Sequence, residues 1–284
     1  MSNSSADLLQ RFSFDGAPIR GEIAHVNSAL EEVIQRHQYP ELICKALGEL
    51  MAATALMSAN LKFAGRLTLQ LRLSGNVSLL QAETDEQGRL RAIARYDLNQ
   101  PQHQLTLDDG QMVITLEPEQ GQRYQGITAI QGGNIAGALE DYFTQSEQLS
   151  SRFWLVSEGS KAAGFMLQQL PSDKTDADAD AWDRVSHLAS TIKDEELLDL
   201  DNDTLLHRLY HEEAVRVYPG TPLSFFCTCS RQRLATAIQQ VGFTAISEMM
   251  EETGSVDINC EFCQQHYQFV PTDMAELFPE NNLH

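Results

Sequence analysis

The sequence predicts an α+β fold, a mostly antiparallel sheet with packed helices, followed by a helical linker and a small C-terminal domain organised by cysteines. Three observations predict it. Helical and alternating periodicities succeed one another over the first 170 residues, the composition turns acidic from Pro171, and four of the five cysteines crowd into the stretch from Cys227 to Cys263.

In chain order, Ile23, Val26, Leu30, Val33 and Ile34 recur at helical spacing. Pro40 to Leu61 reads as a second helix, and its many small and apolar residues call for burial. Leu67, Leu69, Leu71 and Leu73 alternate with Thr68, Gln70, Arg72 and Ser74, which puts the four leucines on one face of a half-buried strand. Val77 to Thr84 and Leu90 to Tyr96 flank Asp85-Glu-Gln-Gly88, and Met112 to Leu116 and Tyr124 to Ile130 flank a Pro/Gly turn. Both arrangements predict hairpins, and hence antiparallel pairing. A helix follows Gly132-Gly133-Asn134, carrying Ile135, Ala138, Leu139, Tyr142 and Phe143. Arg152 to Val156 and Ala163 to Leu170 close the first part as a strand pair.

Residues 171 to 220 hold thirteen acidic residues against five basic ones, beginning with the run Asp176-Ala-Asp-Ala-Asp180. Trp182, Val185, Leu188, Ala189 and Ile192 fall on one helical face, and Leu205, Leu206 and Leu209 begin another helix after Asp203 as cap. Short, highly charged helices depend on docking for their stability, so this segment reads as a detachable linker. The same composition also suits two surface helices of one continuous domain.

A formal charge of −20 disfavours nucleic acid and anionic lipid as partners, because phosphate binding needs a basic patch. The start of the chain lacks a basic and apolar leader, and no stretch is apolar enough to span a bilayer. A cytoplasmic location is expected. In that reducing setting clustered cysteines read as metal or redox chemistry rather than a disulfide framework.

The chemistry lies in Cys227-Thr-Cys229 and, thirty residues on, Cys260-Glu-Phe-Cys263. Two close pairs of soft sulfur ligands meet the needs of tetrahedral Zn²⁺, one ion per chain. Ser230 caps a predicted helix over Arg231 to Gln240 that Gly242 closes, Thr244 to Glu251 forms another, and Val256 to Asn259 leads as a strand into Cys260. Tyr267 and Phe269 alternate on the returning strand. Four cysteines fill the shell, so His266 reads as a solvated strand residue and a catalytic zinc is disfavoured. Cys44, in an apolar helical pattern, reads as a small core residue.

The spacing alone leaves open whether such a site is an inert staple or a switch. Two features favour a switch. Residues two apart in extended chain lie about 6 to 7 Å apart at Cα, near the limit for a disulfide, and a closed Cys-x-x-Cys turn is equally bondable. The segment from Thr221 to His284 has only 64 residues, a length at which burial alone stabilises little. Zinc binding contributes roughly 10 to 16 kcal/mol in small zinc domains, against about 5 to 15 for the stability of whole domains. Loss of the metal is therefore expected to unfold the segment.

Ser224-Phe-Phe-Cys-Thr-Cys-Ser-Arg-Gln-Arg233, Glu248-Met-Met-Glu-Glu-Thr-Gly254 and Asn259-Cys-Glu-Phe-Cys263 closely resemble the HslO family, the redox-regulated 33 kDa chaperonin. Tyr124-Gln-Gly-Ile127 and Glu140-Asp-Tyr-Phe-Thr-Gln-Ser-Glu-Gln-Leu149 resemble it too. The resemblance implies an ATP-independent holdase rather than an enzyme. It would be inactive while Cys227, Cys229, Cys260 and Cys263 hold zinc. Oxidation would pair Cys227 with Cys229 and Cys260 with Cys263, release the zinc and unfold the C-terminal region. The oxidised form, a homodimer, would hold unfolding client proteins. The implied division is 1–170 for the chaperone core, 171–220 for the linker and 221–284 for the redox domain. Arg231 and Arg233 are too few to make a nucleic-acid module of the cysteine region, and Cys260-Glu-Phe-Cys263 does not open a helix as an oxidoreductase motif would.

Overall fold

The computed structural model of the chain describes residues 6–59, 64–97, 105–171, 178 and 180–279. Contacts divide the chain into two compact units, Met1–Phe226 and Cys227–His284.

The first unit opens with the strands β1 (Leu8–Phe14) and β2 (Ile19–His25) and the helices α1 (Asn27–His37) and α2 (Glu41–Ser58). Five strands follow: β3 (Gly65–Arg72), β4 (Val77–Asp85), β5 (Arg89–Tyr96), β6 (Gln111–Pro118) and β7 (Tyr124–Ala129). Then come α3 (Ile135–Tyr142), a π-turn over Phe143–Glu147, and the strands β8 (Ser151–Glu158) and β9 (Lys161–Gln169). The helices α4 (Ala181–Ala189), α5 (Asp194–Asp199) and α6 (Asn202–Tyr210) and the short strands β10 (Val215–Val217), β11 (Thr221–Pro222) and β12 (Ser224–Phe225) complete it.

These strands make two sheets, one ordered β10-β1-β2-β9-β8 with β11 also on β1, the other β12-β5-β4-β3-β6-β7. Every pair is antiparallel except β12 on β5. α2 packs against both sheets, and its Leu47, Leu50, Met51 and Leu56 are fully buried between Ala24 and Met166 of one sheet and Leu67, Leu69 and Leu80 of the other. Gly48 permits the close approach, since a Cβ there would collide with the Ser157 hydroxyl. α3 starts where expected, with the Asn134 side chain accepting from the Gly137 N–H at 2.6 Å.

The opposite face of the first sheet is covered by α4, α5 and α6. Phe12, Phe14, Ile23, Phe165 and Leu167 meet Val185, Leu197, Leu205, Leu209 and Tyr210 in a second buried cluster. Polar contacts pin the helices there. Asn202 Oδ1 lies 3.0 Å from His25 Nε2, and Asn202 Nδ2 donates to Gln10 Oε1 at 2.7 Å. The Tyr210 hydroxyl donates to the Val185 carbonyl at 3.1 Å.

Several elements differ from the sequence reading. Ile23 lies in β2 and Val26 just before α1, not in a helix, because this strand is buried on both faces and its apolar run mimics helical spacing. The hairpin of β1 and β2 was not foreseen. The cap of α6 is Asp201, which accepts from the Thr204 N–H at 2.9 Å, and Asp203 lies two residues further on, within the first turn. Leu61 and most of the acidic run 176–180 lie outside the described residues. No helix among the described residues is long and apolar enough to cross a membrane.

The second unit contains α7 (Arg231–Val241), α8 (Phe243–Thr253), the hairpin of β13 (Val256–Asn259) and β14 (His266–Phe269), and α9 (Pro271–Leu277). Its buried apolar cluster consists of Ile238, Ile246, Val256, Phe269 and Met274. The terminal helix α9 is an addition to the sequence reading.

Candidate metal centre

Two loops bring the sulfurs together. Cys227 and Cys229 sit in the extended stretch before α7, whose start is fixed by Ser230 accepting from the Arg233 N–H at 3.2 Å. Arg233 Nη1 donates back to the Thr228 carbonyl at 2.9 Å, holding the residue between the two cysteines. Cys260 and Cys263 occupy the knuckle between β13 and β14. There the Gln264 N–H donates to the Cys260 carbonyl at 2.9 Å and the Cys260 N–H to the Gln265 carbonyl at 3.0 Å, with Gln264 in the left-handed region at φ 57°. This ring of backbone bonds turns both sulfurs inward.

All four Sγ atoms lie within 4.8 Å of one another. The distances are 3.6 Å between Cys227 and Cys260 and 3.3 Å between Cys229 and Cys263. Four sulfurs at about 2.3 Å from a common ion stand roughly 3.8 Å apart, so these two pairs are slightly closer than a tetrahedral site sets them and no pair exceeds that spacing by more than about 1 Å. No disulfide joins any of the five cysteines.

Electrostatics argue that such a cluster needs a cation to ionise fully. Burial pushes the Cys260 and Cys263 thiols above their ordinary range. Burial acts on Cys227 too, yet the Cys229 N–H and the neighbouring thiols bring it below its ordinary value. Four thiolates this close require a compensating charge, which a divalent ion supplies.

Sequence reasoning missed three supporting residues. The Tyr267 hydroxyl lies 3.2 Å from Cys229 Sγ, and that hydrogen bond pushes its phenol up to about 12. Arg231 donates to the Gln268 carbonyl at 2.6 Å, covers the Phe269 ring at 4.3 Å and pairs with Asp273 at 2.7 Å, tying α7 to β14 and α9. Arg233 holds the first cysteine loop, as above. Alternation showed Tyr267 only as a strand residue; its position four residues past Cys263 in the knuckle was the available signal.

His266 is outside the cluster, with Nδ1 2.9 Å from Asn259 Oδ1 and Nε2 3.0 Å from Asp257 Oδ1. Cys44 is buried in α2, where its thiol donates to the Tyr39 carbonyl at 3.3 Å and burial pushes it up.

A profile of the Hsp33 protein family matches residues 7–270. The chain belongs to the Hsp33 family. A protein named 33 kDa chaperonin from Pseudomonas savastanoi pv. phaseolicola is 46% identical over 281 residues, covering 96% of this chain and 93% of that one. The 33 kDa chaperonin of Azotobacter vinelandii is 44% identical over 283 residues, covering 97% and 95% of the two chains. The crystal structure of the Thermotoga maritima 33 kDa chaperonin matches at a TM-score of 0.81 and 19% identity over 97% of this chain and 99% of that one, a likeness of fold. The names borne by the Hsp33 family and these relatives support a chaperone.

Proposed function

We propose that this Hsp33 chain is a redox-regulated, ATP-independent holdase whose switch is a Zn²⁺ ion on Cys227, Cys229, Cys260 and Cys263. The observation that carries the proposal is the pairing of a four-sulfur cluster with a small apolar cluster in the same unit, five buried residues and a partly buried shell among the described residues. When bound, zinc supplies the charge that keeps four thiolates together and the cross-link that the small core lacks. The chain's own part is to present two thiol pairs to an oxidant.

Each pair, Cys227 with Cys229 and Cys260 with Cys263, loses two electrons and forms one S–S bond. One molecule of hypochlorous acid per pair takes those two electrons and one proton and ends as chloride and water; two thiols supply that proton and release a second, whereas thiolates draw the one proton from solvent. Disulfide sulfurs are poor ligands, so the cluster then holds no cation and residues 221–284 lose their main source of stability. The helices of 171–220, whose apolar side covers Phe12, Ile23 and Phe165 in the inactive form, come away with it. The apolar surface so freed on the 1–170 core binds unfolding clients. The active form is a homodimer, the setting is cytoplasmic, and no step is catalytic.

Oxidation of the reduced, zinc-loaded protein with hypochlorous acid, followed in parallel for zinc release and for suppression of client aggregation, tests this. The two are expected to rise together. Zinc release with no gain in suppression would refute the proposal.

A further inference from the structure

α6 carries two imidazoles that nothing above uses. His207 and His211 are one helical turn apart, four residues in sequence, on the exposed side of a helix whose other side is locked by Leu205, Leu206, Leu209 and Tyr210. Their ring centroids are 6.0 Å apart and the planes are inclined by 31°. Neither ring makes a hydrogen bond among the described residues. His211, the C-cap, still has helical backbone angles of φ −61° and ψ −19°, so both side chains leave one regular helical surface. Glu212 adds a carboxylate 4.0 Å from His211 Nε2.

From this geometry we infer that His207 and His211 form a second metal site, a two-imidazole chelate for a divalent transition-metal ion such as Ni²⁺ or Zn²⁺. Two histidines at i and i+4 on one helix face are the minimal helical chelate, and imidazole is a ligand that these ions favour. An ion about 2.1 Å from one nitrogen of each ring holds the centroids roughly 5 Å apart, so small side-chain rotations close the observed spacing. The Glu212 carboxylate contributes negative charge beside the ion, and water fills the remaining positions. The chemistry differs from that of the cysteine cluster, whose four thiolates make a closed shell.

The site exists only while residues 207 to 211 are helical. An ion bound there favours folded α6 over unfolded α6 by the factor 1 + [M]/Kd. Under the holdase reading α6 must come away on activation, so occupancy would oppose activation; that consequence rests on the reading, while the binding does not.

The test uses the full-length, reduced, zinc-loaded protein, titrated calorimetrically with Ni²⁺ at pH 7.5. The zinc content is assayed before and after. The expected result is one saturable Ni²⁺ event per chain with no zinc lost. His207→Ala or His211→Ala alone weakens it at least tenfold, and the double variant is little worse than either single one, as loss of a chelate requires. Hydrogen exchange of residues 202–210 slows with Ni²⁺ in the parent protein and not in the double variant. The inference is overturned by the absence of saturable binding, by binding unchanged in the double variant, or by Ni²⁺ uptake that merely matches zinc lost from the cysteines. Because no client is present, none of these outcomes depends on whether the protein is a holdase.

Discussion

The two units of the chain are held together in different ways. In Met1–Phe226 an almost continuous apolar interior runs from the second sheet through α2 to the first sheet, and a further layer lies beneath α4, α5 and α6. In Cys227–His284 a cluster of five buried apolar side chains among the described residues, with a partly buried shell, lies in the same unit as four sulfurs. Burial is redundant, since losing one contact leaves the rest. A four-ligand site is not, since removal of one ligand opens the whole shell.

The largest effect is expected from Cys263→Ser. Removing one of four ligands should forfeit most of a binding free energy on the order of 10 kcal/mol and leave residues 227–279 unprotected in hydrogen exchange, with bound zinc lost. In contrast, Leu50→Ala, at a fully buried position of α2, should cost about 2 to 5 kcal/mol in the first unit and leave the zinc content unchanged. Zinc loss in the leucine variant, or an intact second unit in the cysteine variant, would erase the contrast between the units.

Glu22 sharpens the comparison from the other side, as a charge placed inside the larger core. It is 0% exposed, neither oxygen has a hydrogen bond among the described residues, and Arg20 Nε approaches only to 3.8 Å. Burial pushes its carboxyl up to about 7. The folded protein therefore favours the neutral acid. The associated stability is fully present below the unfolded pKa near 4.5 and is lost as the pH rises through 7. Glu22→Gln should raise stability at pH 8 by about 3 kcal/mol and change little at pH 4.5, read as thermal melting of the first unit at the two pH values. Equal melting of the two proteins at pH 8 would show that the carboxylate is solvated after all.

Tyr267→Phe should have the smallest effect. It removes one hydrogen bond from the Cys229 sulfur while keeping the ring, and competition with a chelator should show zinc affinity reduced by about tenfold with the fold retained. Unchanged affinity would reduce Tyr267 to a packing residue.

Legibility followed the number of wet faces. β3 declared itself because Leu67, Leu69 and Leu71 are buried while Gln70 and Arg72 reach solvent, so alternation survives in the sequence. β2 and β9, sandwiched between α2 and α4 to α6, are buried on both sides and lose the alternation; β9 still reads as a strand over Ala163 to Leu170, whereas Ile23 of β2 reads as part of a helix. Asp201 and Asp203 both suit a cap, and only the backbone at Asp201 shows which one turns the chain. The cysteine cluster was legible because its residue types are themselves the signal. Tyr267, Arg231 and Arg233 were not, since their roles follow from the turn at Gln264 and from the placing of α9, neither of which leaves a pattern in the chain.

The central claim is that ligation, not burial, holds the last unit together. Hydrogen exchange on the full-length reduced protein, with and without a strong zinc chelator and with thiols kept reduced, tests it most directly. Protection across residues 231–277 should collapse on chelation while β3, β4 and α2 keep theirs. Unaltered protection in 231–277 after complete zinc removal would contradict it.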